Sequence, residues 1–438
     1  MKKLLLSALL IAGSAQAGVD IQHWVSPSGA RVYFVKSTSL PMLDVQIDFA
    51  AGGAYAPAEK SGLAGFTNDL MEAGAGSFDE EAIADKLTAT GAQLGNSTDA
   101  DRASATLRTL TSEKQKEAAL HLFETILREP TFPQAVLTRE VARAVAGIKE
   151  ADTQPGSILG KRFAAAVYPG HPYGVTPSVE SVSRITRDDL VDFYRKNYCA
   201  SRAVVTLVGA IERAEAAQIA ERLTAKLPTD CASVSIPSPT LPAAQTLRVD
   251  HPASQSHVAI GMPSLRRGDP DFYALSVGNY VLGGGGFVSR MLKEVREKRG
   301  LAYSAYSYFA PAQAEGLFQI GLQTKAEQTD EALKVARDTL DAFLAKGPTA
   351  EELKDAKRNI INGFVLRVDS NRKLLDVVSV IGFYKLPLDY LDTYPARIEA
   401  VSAAQIREAF GRRVKPEHLV TVIVGPVAKQ AAESTEKK

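Results

Sequence analysis

One pattern occurs twice in this chain. Ile185-Thr186 opens a helical stretch with Leu190 and Phe193-Tyr194 on its apolar side, and the run Ala203-Val204-Val205-Thr206-Leu207-Val208-Gly209 follows it. Val401-Ser402 opens a second stretch with Ile406 and Phe410, followed by Leu419-Val420-Thr421-Val422-Ile423-Val424-Gly425, at a constant offset of 425 − 209 = 216. Thr186 and Ser402 are residue types that cap helix N-termini, and both apolar runs read as buried strands. A repeat of this length is a duplicated domain, not a solenoid unit.

The boundary between the copies is visible in composition. Residues 228–244 carry Pro228, Pro237, Pro239 and Pro242 among Ser, Thr and Ala, which suits a semi-rigid linker rather than a helix or central strand. Residues 18–227 then form a first domain and residues 245–428 a second, with a polar, disordered tail at 429–438. In the first domain, strands are expected at 30–35 and 43–50, helices at 62–73 and 80–90, paired strands at 92–97 and 103–110, and long helices at 112–128 and 133–151. The second repeats that order, with a strand at 256–262, helices at 270–282 and 288–297, paired strands at 302–309 and 316–324, and helices at 328–345 and 350–368. This predicts an α+β fold of two homologous α/β-sandwich domains, each with an antiparallel-rich sheet and helices packed on one face.

The N-terminus reads as an export signal over residues 1–17. Lys2 and Lys3 precede an apolar stretch from Leu4 to Ile11, and Ala15-Gln16-Ala17 is a cleavage site. No other stretch has the roughly 18 apolar residues of a membrane span, so the expectation is a periplasmic chain with no membrane span. Removing two Lys takes the formal charge from +1 to −1. A near-neutral chain offers no electrostatic reason to bind nucleic acid. Cys199 and Cys231 are the two cysteines. Export permits a disulfide between them, and two inert thiols are the alternative.

The segment Gly62-Leu63-Ala64-Gly65-Phe66-Thr67-Asn68-Asp69-Leu70-Met71 resembles the helix G-L-A-H-F-x-E-H-x-M of the pitrilysin/insulinase zinc peptidases. In that family, H-x-x-E-H presents two zinc-binding His and a general base from one helix face. Gly65 and Asp69 occupy the two His positions here, and Asn68 the position of the base. The family's third ligand is a Glu on a later helix. The stretch Val145-Ala146-Gly147-Ile148-Lys149-Glu150-Ala151-Asp152 resembles it with Gly147 in the Glu position. None of the six His shows metal-binding spacing. His171, in Pro169-Gly170-His171-Pro172-Tyr173-Gly174, reads as a loop residue. A tight zinc site needs three protein ligands and an open position, so the resemblance implies no metal and no cofactor in this chain. Gly283-Gly284-Gly285-Gly286 lacks the Gly-Lys-Ser/Thr of a phosphate loop and reads as a turn.

The second half keeps more of the family pattern. Leu282 to Leu292, then Glu294-Val295-Arg296-Glu297-Lys298-Arg299-Gly300-Leu301-Ala302-Tyr303-Ser304, resembles the substrate-side motif, in which an Arg and a Tyr stand seven residues apart, as 303 − 296 = 7. A left-handed Gly300 would end the helix and bring Tyr303 back beside Arg296. A fixed guanidinium and a phenol can grip carbonyls or a developing oxyanion. The resemblance implies half of a clamshell, and the non-catalytic subunit of a heterodimeric zinc peptidase whose homologous partner carries H-x-x-E-H and the zinc. This chain would contribute Arg296 and Tyr303 to peptide hydrolysis and be inactive alone. The strand at 92–97, which adds peptide as an extra strand in active members, would be vestigial. An inert scaffold or peptide-binding protein of the same fold is the alternative, and a self-sufficient homodimeric enzyme is a third reading.

Overall fold

The protein is described by a computed structural model over residues 18–229, 231 and 235–426. The leader at 1–17, the tail at 429–438 and part of the linker lie outside the described residues. In chain order the strands are β1 (Gln22–Val25), β2 (Arg31–Lys36), β3 (Met42–Phe49), a short hairpin of β4 (Gly74–Ala75) and β5 (Phe78–Asp79), β6 (Gln93–Thr98), β7 (Ala103–Leu110) and β8 (Val204–Gly209). The second half supplies β9 (Gln245–Asp250), β10 (Gln255–Leu265), β11 (Ala302–Ala310), β12 (Gly316–Lys325) and β13 (Val420–Gly425). They form a sheet ordered β1-β2-β8-β3-β7-β6 and a sheet ordered β11-β12-β10-β13-β9. The repeated runs are inner strands. β8 runs parallel to β2 with Arg31 opposite Val204, and β13 runs parallel to β9 with Gln245 opposite Val420. All other pairs in these sheets are antiparallel. Thr186 and Ser402 both cap their helices through reciprocal bonds with Asp189 and Gln405.

Each sheet carries its own domain's helices on one face, over cores that include Phe34, Ile47 and Phe123 in the first half and Ile260, Phe318 and Phe410 in the second. The opposite face is covered by a helix from the other half. The Asn371–Phe383 helix lays Leu374, Leu375, Val378 and Ile381 against Tyr33, Val35, Val204 and Val208. The Pro155–Val167 helix lays Phe163 and Val167 against Ala259, Val420, Val422 and Val424. This exchange explains why β8 and β13 are buried at every position and carry apolar residues without alternation. Glycine permits the close approach in both cases. A Cβ on Gly382 would stand 2.8 Å from the Tyr33 ring, and one on Gly261 would stand 2.9 Å from the Phe163 ring.

The halves also meet at polar contacts. Arg31 donates to the Gly382 carbonyl at 2.7 Å. Asp101, buried in the turn between β6 and β7, accepts from Tyr173, from Tyr384 at 2.8 Å and from the Gln313 backbone at 2.8 Å. The described part of the linker is fastened too. His171 accepts from the Tyr173 backbone through Nδ1 and bonds the Pro237 carbonyl at 2.9 Å through Nε2. His171 therefore has both ring nitrogens engaged in a loop. Among the described residues no helix is long and apolar enough to cross a membrane.

Cys199 and Cys231 are joined by a disulfide with a sequence separation of 32. A closed loop of that length restricts the unfolded chain, so replacing both by Ser is expected to cost about 2–4 kcal/mol. Urea unfolding with and without reductant checks this. Two titratable thiols in the unreduced protein would contradict the bridge itself.

Candidate functional site

The helix at Leu63–Leu70 packs between the Arg187–Asn197 helix and β6. Asn68 is turned inward from it. Its Nδ2 donates to the carbonyls of Ser97 at 3.1 Å and Ser104 at 3.2 Å, and its Oδ1 accepts from Tyr198 at 3.4 Å. Ser97 and Ser104 face each other across β6 and β7. A carboxylate in this position would set acceptor against acceptor. The residue at the general-base position has thus become a clasp between helix and sheet.

Gly65, Asp69 and Gly147 do come together. All three line one cavity of about 770 Å³ between this helix and the Gln134–Ala151 helix. A Cβ built on Gly65 or on Gly147 meets nothing within 4 Å, as expected where large side chains have given way to none. The set does not fit zinc. Gly65 and Gly147 offer no ligand atom, Asn68 faces the sheet, and Asp69 is a single carboxylate. Glu140 is engaged with Arg139 and Arg143 at 2.7 and 2.9 Å. Among the described residues no three His, Cys, Asp or Glu are grouped to hold a metal.

The carboxyls left here are electrostatically uncomfortable. Asp69 lines the cleft and is exposed. Desolvation first, and then the charge of Glu140, hold its carboxyl above the ordinary range. Glu72 is pushed up to about 7, by burial first and then by Asp69, against a hydrogen bond with Asn96 that lowers it. Folded Glu72 therefore holds its proton more tightly than unfolded Glu72, whose ordinary value is 4.5. Stability from this group is fully present below the unfolded value and is lost as pH rises through the folded one. Glu72→Gln should be neutral near pH ~4 and gain about 1–3 kcal/mol near pH ~8. Urea titrations at the two pH values test it, and an equal effect at both would refute it.

The Arg/Tyr pair is assembled as the turn logic predicts. The Arg290–Leu292 helical turn widens into a π-helical turn over Lys293–Glu297, which carries Arg296. Gly300 takes φ +64°, its N–H bonds the Arg296 carbonyl at 2.8 Å, and β11 begins two residues later. The Arg296 guanidinium lies 4.6 Å from the Tyr303 ring centre and 5.1 Å from that of Phe287. Both rings are open to solvent, Tyr303 at 80% and Phe287 at 67% exposure. Glu294, two residues before Arg296, is engaged by Lys298 and Arg299, and the adjacent Glu297 makes no ion pair with Arg296 among the described residues. Arg296 has no carboxylate partner among the described residues. The sequence does not single out Phe287, because an exposed Phe after a glycine run carries no periodic signal.

No residue of the second half lines the cavity at Gly65 and Gly147. The chain therefore presents two separate features: a cleft in the first half and an exposed cation–aromatic cluster in the second. β6, read as one register earlier from sequence, is the edge strand of its sheet and packs against the Leu63–Leu70 helix.

Comparison with known proteins places the chain in one family. Residues 31–176 match the model for insulinase (peptidase family M16), and residues 184–360 match the model for the peptidase M16 inactive domain. The crystal structure of a peptidase M16 inactive domain from Pseudomonas fluorescens superimposes with a TM-score of 0.90 at 36% identity, covering 94% of this chain and 99% of that one. A Helicobacter pylori protein described as the non-peptidase homolog YmxG is 23% identical over 97% of this chain and 98% of its own length. An uncharacterized zinc protease of Streptomyces coelicolor is 29% identical, and the match spans 64% of this chain but only 63% of that relative. With matched domains in order and a 36% identical structure covered almost end to end, the chain belongs to the insulinase (M16) peptidase family, as a member of its inactive type.

Proposed function

We propose that this chain is the zinc-less subunit of a two-chain M16 peptidase of the periplasm, pairing with a homologue that carries H-x-x-E-H and the zinc. It forms half the wall around a bound peptide and contributes Arg296 and Tyr303 to the peptide's carbonyls. One observation carries the reading. The metal positions are emptied to Gly65 and Gly147, while Arg296 remains clamped by exposed Phe287 and Tyr303, with no carboxylate paired to it among the described residues. A lone folding role would not keep a guanidinium and two aromatic rings on the surface together. The inactive-domain match and the non-peptidase relative support loss of zinc chemistry in this chain. The leader at residues 1–17 supports export.

Co-purification and mixing with an H-x-x-E-H homologue from the same genome is the test. Peptide hydrolysis is expected from the mixture and not from this chain alone. A stable mixed complex with no hydrolysis would favour the scaffold reading, and hydrolysis by this chain alone would overturn both.

A further inference from the structure

The duplication gives the second half a cavity of its own, built on the matching helix. The Phe272–Asn279 helix packs against the Ala403–Arg413 helix, the Ala350–Phe364 helix and β11. The Leu63–Leu70 helix packs in the same way against the Arg187–Asn197 helix, the Gln134–Ala151 helix and β6. Asn279 repeats the clasp of Asn68, donating to the Ser307 carbonyl at 3.0 Å and accepting from the Ser307 hydroxyl at 2.7 Å. The cavity beside it has a volume of about 320 Å³, within the range of small-ligand sites. Phe272, Tyr280, Phe309 and Tyr394 supply aromatic walls, and Arg267 and Arg367 supply two cations. No carboxylate is among its described lining residues.

Neither guanidinium is neutralised within the fold. Arg267 and Arg367 have no ion-pair partner among the described residues. The nearest acids in sequence, Asp269 and Asp369, are taken by Arg413 at 2.7 Å and by Lys373 at 2.9 Å. The Nε of Arg267 is sealed from solvent and has no hydrogen-bond partner among the described residues, a costly state for a charged donor. Its guanidinium lies over the Tyr384 ring at 5.4 Å, which fixes its place. Both cations reach one neighbourhood, since each acts to lower the Tyr390 phenol, which burial first of all holds well above its ordinary range. Tyr394 is set in position by stacking on Phe364 at 4.5 Å.

We propose that this cavity binds a small organic anion, an aromatic ring bearing a carboxylate, whose carboxylate meets Arg267 and Arg367 and whose ring lies against Phe272, Tyr280 and Phe309. The guanidinium fork matches a carboxylate in shape and charge, and a ring packs on aromatic walls by offset or edge-to-face contact. A bare inorganic anion would leave those walls wet. A neutral arene would leave the Arg267 donor unsatisfied. The inference concerns the second half alone and stands whether or not a partner subunit exists.

Calorimetric titration of the purified chain tests it. The probes are naphthoate, the neutral naphthalenemethanol of similar shape, cyclohexanecarboxylate and inorganic phosphate. Naphthoate is expected to bind about ten-fold or more tightly than each of the others. Arg267→Met and Arg367→Met should each weaken naphthoate about ten-fold, and the double replacement should bring it to the level of the alcohol. Arg367 is exposed, so its replacement should leave the melting temperature unchanged, and it decides the matter if Arg267→Met does not fold. Ala310→Trp, at an exposed lining position, should block the cavity to naphthoate and alcohol alike. Naphthoate no tighter than the alcohol, a preference undiminished in folded Arg367→Met, or binding undiminished in folded Ala310→Trp would overturn the site. Phosphate or cyclohexanecarboxylate binding as tightly as naphthoate would overturn the aromatic carboxylate as its ligand.

Discussion

In the reconstituted two-chain peptidase, Arg296→Ala should lower kcat/KM by about 30- to 1,000-fold, the equivalent of about 2–4 kcal/mol in transition-state binding. The size follows from the surroundings of the guanidinium. It is held between the Phe287 and Tyr303 rings at 5.1 and 4.6 Å, so its orientation costs little further entropy when a substrate carbonyl arrives. No carboxylate competes for its N–H groups among the described residues. Arg296→Lys should restore only part of the loss, because an ammonium keeps the charge but not the planar stack. Tyr303→Phe keeps the stack and removes the phenol, so it separates positioning from hydrogen bonding. A loss in kcat with little change in KM would mark contact with the developing oxyanion, and a loss in KM alone would mark grip on the ground state. If Arg296→Ala and Tyr303→Phe both leave the complex at full activity, the pair has no part in hydrolysis.

The duplication is legible in the sequence because each copy ends on the same helix cap and the same buried strand, and both features depend only on local residue chemistry. The grouping of Gly65, Asp69 and Gly147 around one cleft is legible through a motif whose spacing reflects a helix face. The exchange of helices between the halves is not. The Pro155–Val167 and Asn371–Phe383 segments have an apolar face like many surface helices, and nothing in that pattern says which sheet receives it. The small residues Gly261 and Gly382 make sense only once the crossing is known. The π-helical turn at Lys293–Glu297 is equally hidden, since its wider period blurs into the 3.6-residue signal. Asn68 reads as a lost base by its place in the motif. Its role as a clasp depends on carbonyls of Ser97 and Ser104, which sequence spacing does not bring near it.

Asp101→Ala should cost about 3–5 kcal/mol of stability, a large loss for one side chain. The side chain is 2% exposed and sits where the halves meet. Tyr173 belongs to the first half, whereas Gln313 and Tyr384 belong to the second, and all three donate to its carboxylate. Desolvation pushes both phenols well above their ordinary range, so they keep their protons and need an acceptor. Removing the carboxylate leaves two half-buried phenols and a backbone N–H without one. Asp101→Asn is milder, at about 1–3 kcal/mol, because one amide oxygen still accepts while the NH₂ opposes a donor. The location predicts the form of the loss as well as its size. Each half has its own core, and the crossing helices are joined to this hub through the turn after Phe383 and the loop at Tyr173. Thermal unfolding of Asp101→Ala should therefore separate into two transitions, where the native chain shows one. A single cooperative transition displaced by less than about 1 kcal/mol would show that the apolar helix exchange, and not this polar hub, holds the two halves together.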